Sequence, residues 1–243
     1  MNVVAIIQAR LGSTRLPGKV LMDISGESML SRVVNRTKQA KLLNQVVVAT
    51  SDRSIDNAVA KEVNRLGVSA FRGSENDVLD RYYKAAQMFN ADVIVRITSD
   101  CPLIDPTVID KVVKAFLNSD MDYASNGLVR TYPRGLDVEA FTISALTKTW
   151  RQASKPYERI HVTPYIYENP SIFKLLSIST PQNYSNYRWT VDTPEDLEFV
   201  RRIYERLEEK ISFSWLDVLA ICEKEPTLTA INSHVEQKRL ELG

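Results

Sequence analysis

Residues 3–19 read VVAIIQARLGSTRLPGK, in which five apolar residues, Val3 to Ile7, pass through Gln8 and Ala9 into a loop carrying Arg10, Arg15 and Lys19 with glycines at 12 and 18. A continuous β-branched run that ends abruptly in glycine and cations predicts a strand covered on both faces, followed by a loop at its carboxyl end. The same punctuation recurs along the chain. Gln45 to Thr50 leads into Ser51-Asp52, Val68 to Phe71 leads into Arg72-Gly73, and Asp92 to Thr98 leads into Ser99-Asp100-Cys101-Pro102. Segments of helical period lie between these runs. Met29, Val33, Val34 and Thr37 share one face; Ile55, Ala58, Val59, Val63 and Leu66 share another, with Ser54 as a cap and Gly67 as a stop. A helix over 78–89 and one opening at Pro106 complete the alternation, which predicts an α/β domain with a mainly parallel sheet.

After about Met121 the pattern changes to short strand-like pieces, 138–143 and 173–177, among prolines and tyrosines. This stretch, about 121–188, reads as an excursion from a single domain spanning 1–243 rather than a further βαβ unit. Helices are expected again from Pro194 and over 215–222.

Composition narrows the function. Lys+Arg number 31 against 30 Asp+Glu, a formal charge of +1, so the chain lacks the global positive field of a non-specific nucleic-acid binder, and any anion site is local. No window offers the roughly 20 apolar residues of a membrane span, and no basic leader precedes the first run, so a soluble, cytoplasmic protein is expected. Cys101 and Cys222 form no CxxC pair and are read as reduced thiols.

Ligands of open parallel sheets bind beyond the carboxyl ends of the strands, and here those ends collect cations, hydroxyls and carboxylates. The first loop suits phosphate: glycines admit backbone N–H groups to an anion, and Arg or Lys adds charge. It is neither a P-loop, since Val20 follows Lys19, nor GxGxxG. A solvated basic turn is the plainer reading of the same spacing. Asp100 follows a strand and Asp192 precedes a helix. Thr193 with Pro194 reads as a helix cap, whereas for Asp192 a cap and a functional carboxylate both stand. Carboxylates about 4 Å apart would repel by about 4 kcal/mol at an effective dielectric near 20, so convergence of the two calls for a cation. Cys101 has no base spaced for it and reads as a small buried side chain.

QARLGSTRLPGKVL, VVATSD, VRITSDCPLID and WTVDTPEDLE together resemble the cytidylyltransferases that activate acidic sugars, including the CMP-ketodeoxyoctulosonate and acylneuraminate synthetases, and most of all the spore coat polysaccharide biosynthesis protein F type. The resemblance runs from residue 3 to about 206. It implies a GT-A-like α/β/α nucleotidyltransferase fold, with Ala9, Arg10, Leu11, Gly12, Ser13, Arg15, Lys19 and Asp100 around the nucleotide phosphates and Thr50, Ser51 and Arg72 at the cytidine. It assigns Arg10, Arg15, Lys19 and Asp100 to catalysis and Asp100 and Asp192 to a Mg²⁺ or Mn²⁺ ion. Asn126, Arg134, Glu139, Arg159 and His161 are its candidate sugar contacts. CTP and an acidic sugar are the implied substrates, pyrophosphate the released product, surface polysaccharide synthesis the setting and a homodimer the assembly. A sugar phosphate, polyol phosphate or phosphonate acceptor, or a non-catalytic nucleotide-binding protein, are the alternatives. A carboxylated acceptor calls for an Arg placed for bidentate contact, and Arg134, Arg159 and Arg188 are available. His161 in HVTPY reads equally as a structural histidine.

Overall fold

The computed structural model describes residues 1–207 and 212–238. The apolar runs become parallel strands β1 (Val3–Gln8), β4 (Gln45–Ser51), β5 (Ser69–Gly73) and β6 (Val93–Thr98); a small antiparallel ribbon, β2 (Asp23–Ile24) and β3 (Glu27–Ser28), intervenes after the first loop. Between them lie α1 (Met29–Thr37), α2 (Asn57–Arg65) and α3 (Val78–Met88), and α4 (Pro106–Leu117) follows β6. The helix starts have local causes. Ser28 accepts from Ser31 N, Asp77 from Asp80 N, and Asp105 from Thr107 N and Val108 N with Pro106 in the first turn. Ser54 is not a cap: residues 54–56 form a 3₁₀ turn ahead of α2, which leaves Ile55 60% exposed instead of on the buried stripe. Gly67 does terminate the helix, at φ +63°.

The sheet order is β5-β4-β1-β6-β8-β7-β9, where β7 (Tyr123–Ser125), β8 (Glu139–Thr142) and β9 (Leu175–Ser177) all come from the 121–188 stretch. That stretch therefore extends the central sheet. β8 runs antiparallel to both neighbours, Arg96 facing Glu139 across the β6–β8 register. Its polar segments also form α5 (Ile143–Gln152), capped by Thr142, and α6 (Pro156–His161) and α7 (Pro164–Tyr167), the last two concealed because Pro156 and Pro164 each open a helix rather than ending one. The chain closes with α8 (Pro194–Leu207), α9 (Trp215–Lys224) and α10 (Pro226–Ala230).

Two cores sandwich the sheet. Val33, Val63, Val112, Phe199 and Val218 bring α1, α2, α4, α8 and α9 to one face; Leu79, Tyr82, Leu146 and Ile166 bring α3, α5 and α7 to the other. Tyr165 stacks edge-on with Phe173, Tyr184 with Trp215, and Tyr187 lies against Trp189, so these rings pack within the chain. Among the described residues no helix is long and apolar enough to cross a membrane.

β1 is flanked by β4, its successor, and β6, which returns on the other side. The connections thus reverse direction between β1 and β6, and a crevice opens at their carboxyl ends where the first loop and residues 99–105 meet. The 121–188 stretch is docked there through Gly135, at φ +110°, where a Cβ would stand 2.6 Å from Thr190 N and from the Trp189 carbonyl carbon. Gly135→Ala is accordingly expected to lower unfolding free energy by about 1–3 kcal/mol through overlap, with backbone strain in addition. Gly26→Ala has a similar φ of +83° but meets nothing within 4 Å, and is expected to destabilise by only about 1 kcal/mol. Chemical denaturation of both variants checks this ordering.

Candidate active site

Gly18, left-handed at φ +73°, closes the first loop: its N–H and that of Ser13 donate to the Leu11 carbonyl at 3.0 and 2.8 Å, and the Ser13 hydroxyl accepts from Leu16 N at 3.3 Å. Leu16 and Val20 are buried and anchor the loop's return. Among the described residues, the amides of Gly12, Thr14 and Arg15 donate to no protein acceptor, which leaves these N–H groups available to a ligand.

Lys19, at the end of this loop, is 8% exposed and reaches across the crevice. Its Nζ donates to Asp100 Oδ2 at 2.9 Å, Asp192 Oδ1 at 2.9 Å and the Val191 carbonyl at 2.7 Å. Asp100 and Asp192 do converge, and the cation between them is the protein's own ammonium. Burial alone would pull the Lys19 pKa down, but the two carboxylates outweigh it and hold the ammonium above the ordinary lysine value. Burial would likewise raise Asp100, and Lys19 overrides it to keep that carboxyl below the usual range. Asp192 Oδ2 also takes Arg15 Nη2 at 2.8 Å and Arg188 Nη2 at 2.9 Å. The Thr193 hydroxyl caps α8 by accepting from Asp196 N at 3.3 Å, which leaves the Asp192 carboxylate to the cations.

A divalent ion fits this donor set on one condition. Both carboxylates supply the hard oxygens that Mg²⁺ and Mn²⁺ take, and no three His, Cys, Asp or Glu among the described residues group around a metal, so water or substrate oxygens would complete the shell. The point between the carboxylates belongs to the Lys19 ammonium, which has to move for an ion to stand there.

The remaining sequence candidates divide into those facing the crevice and those already engaged. Arg10 Nη1 reaches only the Glu75 carbonyl, at 3.4 Å. Ser51 donates its hydroxyl to Asp56, which also accepts Leu11 N at 2.7 Å and so ties the first loop to the end of β4. Arg72 gives all its edges to the backbone of Ser51 and Arg53 and to Asn57 Oδ1. Thr50 is fully buried. Asn126, 1% exposed, accepts from Val138 N and donates to the Leu136 carbonyl, pinning the 127–137 loop. Arg159 forks onto Asp77 and caps the Trp150 carbonyl, locking α6 to the start of α3. Both are framework residues. Arg188 is equally committed, to Asp192, Asp196 and Gln237.

Glu139 faces the crevice inside a network the sequence reading missed: it pairs with Arg96 at 2.8 Å and accepts from Tyr123 OH at 3.1 Å and the Thr163 hydroxyl at 3.0 Å. An arginine inside the apolar run DVIVRIT was the available signal. Thr163 is aimed by a γ-turn at Val162, φ +74° and ψ −53°, in which Thr163 N donates to the His161 carbonyl at 2.9 Å. Such a conformation costs a β-branched residue about 1–3 kcal/mol. Arg134, like the buried Arg81, has a guanidinium without a hydrogen bond or ion pair among the described residues. Burial first, and then Arg130, lower its pKa. Cys101 is buried, and burial pushes its thiol up, which disfavours the thiolate.

The Asp100 shift has a pH signature. A carboxyl whose folded pKa is depressed contributes stability above its unfolded value and loses it as pH falls through the folded one. The stability gap between the wild-type protein and Asp100→Asn is therefore expected to hold at neutral pH and to narrow below about pH 4, as thermal melts across pH will report.

The sequence profile of the cytidylyltransferase family matches residues 4–222. Protein MJ1063 of Methanocaldococcus jannaschii is 41% identical, over 98% of this chain and 97% of its own length. Spore coat polysaccharide biosynthesis protein SpsF of Bacillus subtilis is 32% identical, over 93% and 95%. The solved structure of a cytidylyltransferase from Leptospira borgpetersenii superposes with a TM-score of 0.90 at 37% identity, over 98% of this chain and 100% of that one. With the sheet, the first loop and the two aspartates arranged as described and the family profile matched over most of its length, this chain belongs to the cytidylyltransferase family.

Proposed function

We propose that the protein transfers CMP from CTP to a hydroxyl of an acidic sugar of the ulosonic or nonulosonic type. The observation that carries this reading is the Lys19 ammonium held by Asp100 and Asp192 beside a loop of unbonded amides. CTP lies with its triphosphate along residues 9–19. The acceptor hydroxyl attacks the α-phosphorus in line, an O–P bond forms, the bond to the bridging oxygen breaks, and pyrophosphate and a proton leave. The protein's work is to align the two substrates and meet the developing negative charge, for which Arg10, Arg15 and Lys19 are placed at the loop. Asp100 and Asp192 would hold Mg²⁺ or Mn²⁺, which when bound supplies further positive charge at the phosphates. Lys19 makes room by transferring its ammonium to the phosphate oxygens. Similarity to SpsF supports surface polysaccharide synthesis as the setting.

Arg134 supports a carboxylated acceptor. A part-buried guanidinium near Arg130 and Arg188, whose neighbouring carboxylate Asp137 is already paired with Arg130, has edges free for a sugar carboxylate to take bidentately.

Pyrophosphate release measured with CTP, UTP, ATP and GTP against a panel of ulosonic acids and sugar phosphates tests the reading. Release with CTP and one acidic sugar is expected; release only with a sugar phosphate replaces the acceptor, and no CTP binding at all removes the reading. Arg134→Ala is expected to raise the KM for the acidic sugar at least about tenfold and leave that for CTP within about twofold. Lys19→Met is expected to bind Mn²⁺ without nucleotide about tenfold or more tightly than wild type, by calorimetry or Mn²⁺ spin resonance. Equal affinities in the two proteins would show that Lys19 does not guard the carboxylates.

A further inference from the structure

The family match ends at residue 222, yet the chain beyond it reaches the back of the active site. Leu228 of α10 is 5% exposed and packs into the core beneath α8 and α9. Just after it, Asn232 is 3% exposed, a degree of burial unusual for an amide on a terminal segment. Its Nδ2 donates to the Arg188 carbonyl and to Asp196 Oδ1, both at 2.9 Å. Asp196 is fully buried and receives Arg188 Nε at 2.8 Å, Arg188 Nη2 at 2.9 Å, and the backbone amides of Asp192 and Thr193 at 2.9 and 3.1 Å. Gln237 Oε1 accepts the remaining edge of the same guanidinium, Nη1, at 2.8 Å. Arg188 then holds Asp192 from behind at 2.9 Å while Lys19 and Arg15 hold it from the crevice.

A carboxylate pulled by three cations keeps its place only if the cation on the framework side is itself fixed. Arg188 has four rotatable side-chain bonds, and what fixes it are its two contacts to Asp196 and one to Gln237. Asp196 in turn needs donors for both oxygens in a site without water access, since a buried carboxylate short of a hydrogen bond loses a charge-assisted contact. Asn232 supplies one of those donors and also holds the Arg188 main chain.

We infer that residues 226–237 form a latch on the nucleotide site and that Asn232 is a positioning residue, acting through Asp196 and Arg188 to set the Asp192 carboxylate against Lys19 and Arg15. It touches no substrate. The inference rests on the CTP reading above, and its test uses CTP affinity, so it does not depend on which sugar is the acceptor.

Calorimetric CTP titrations of wild type, Asn232→Ala, Asp192→Asn and the double variant decide it, at a temperature where melting curves show all four folded. Asn232→Ala is expected to weaken CTP about tenfold, and to weaken it no further in the Asp192→Asn background, because both changes act at one carboxylate. A purely structural Asn232 would lower the melting temperature while leaving CTP affinity within twofold, or would multiply with Asp192→Asn; either result overturns the latch. Gln237→Ala, at an exposed position that touches the network only through Arg188 Nη1, keeps the test open if Asn232→Ala does not fold, and is expected to weaken CTP about two- to threefold. Unchanged affinity in that variant contradicts the latch alone, whether or not Asn232→Ala folds. Wild-type protein that binds no CTP overturns the latch together with the reading it rests on.

Discussion

The Lys19 ammonium between Asp100 and Asp192 joins three parts of the chain that are far apart in sequence: the loop after β1, the turn after β6 and the segment entering α8. Without a cation, two carboxylates at that spacing would repel, and the crevice would open at the point where chemistry is done. With it, the charges nearly balance inside a half-buried site, and the flanking arginines become the surplus that a polyanion requires. The rest of the site follows from this bridge. Arg15 is drawn in by Asp192, Arg188 braces the same carboxylate from the framework side, and Gly18 has to be left-handed for Lys19 to leave the loop in the right direction.

The same bridge links affinity to order of events. An ammonium that satisfies two carboxylates has no reason to leave until a better set of oxygens arrives, and a triphosphate is such a set. In the proposed reaction Lys19 would serve protein and substrate by turns, keeping the carboxylates compatible in the absence of nucleotide and meeting phosphate charge in its presence. The buried side of the site stays fixed throughout, through Arg188, Asp196 and the segment behind them.

Much of the fold was legible because its first half obeys simple periodicity. The strands at Val3, Gln45 and Val93 are largely buried parallel strands with continuous apolar runs, and the loops at their ends come together as their spacing implied. The 121–188 stretch was harder to read. Its strands are three or four residues long, too short to show a period, and two of its helices begin at prolines after short polar segments. Among the candidate site residues, Lys19, Asp100 and Asp192 stood out by type and place, but their meeting at one ammonium was not readable, since each comes from a distant part of the chain. Asn126, Arg159 and Arg72 were not separable from binding residues, because an arginine that locks a helix and one that binds a sugar look alike until the partner is known; Asp77, for Arg159, lies 82 positions away. Arg96 and Asn232 went unread for the same reason, each defined by a distant carboxylate.

The most direct test of the account is a crystal structure with CTP and a divalent cation bound. It should show the Lys19 Nζ gone from both aspartates and hydrogen-bonded to phosphate oxygens, with Asp100 and Asp192 turned to the cation and Arg188 unmoved. A nucleotide bound while Lys19 still bridges the two carboxylates would contradict it.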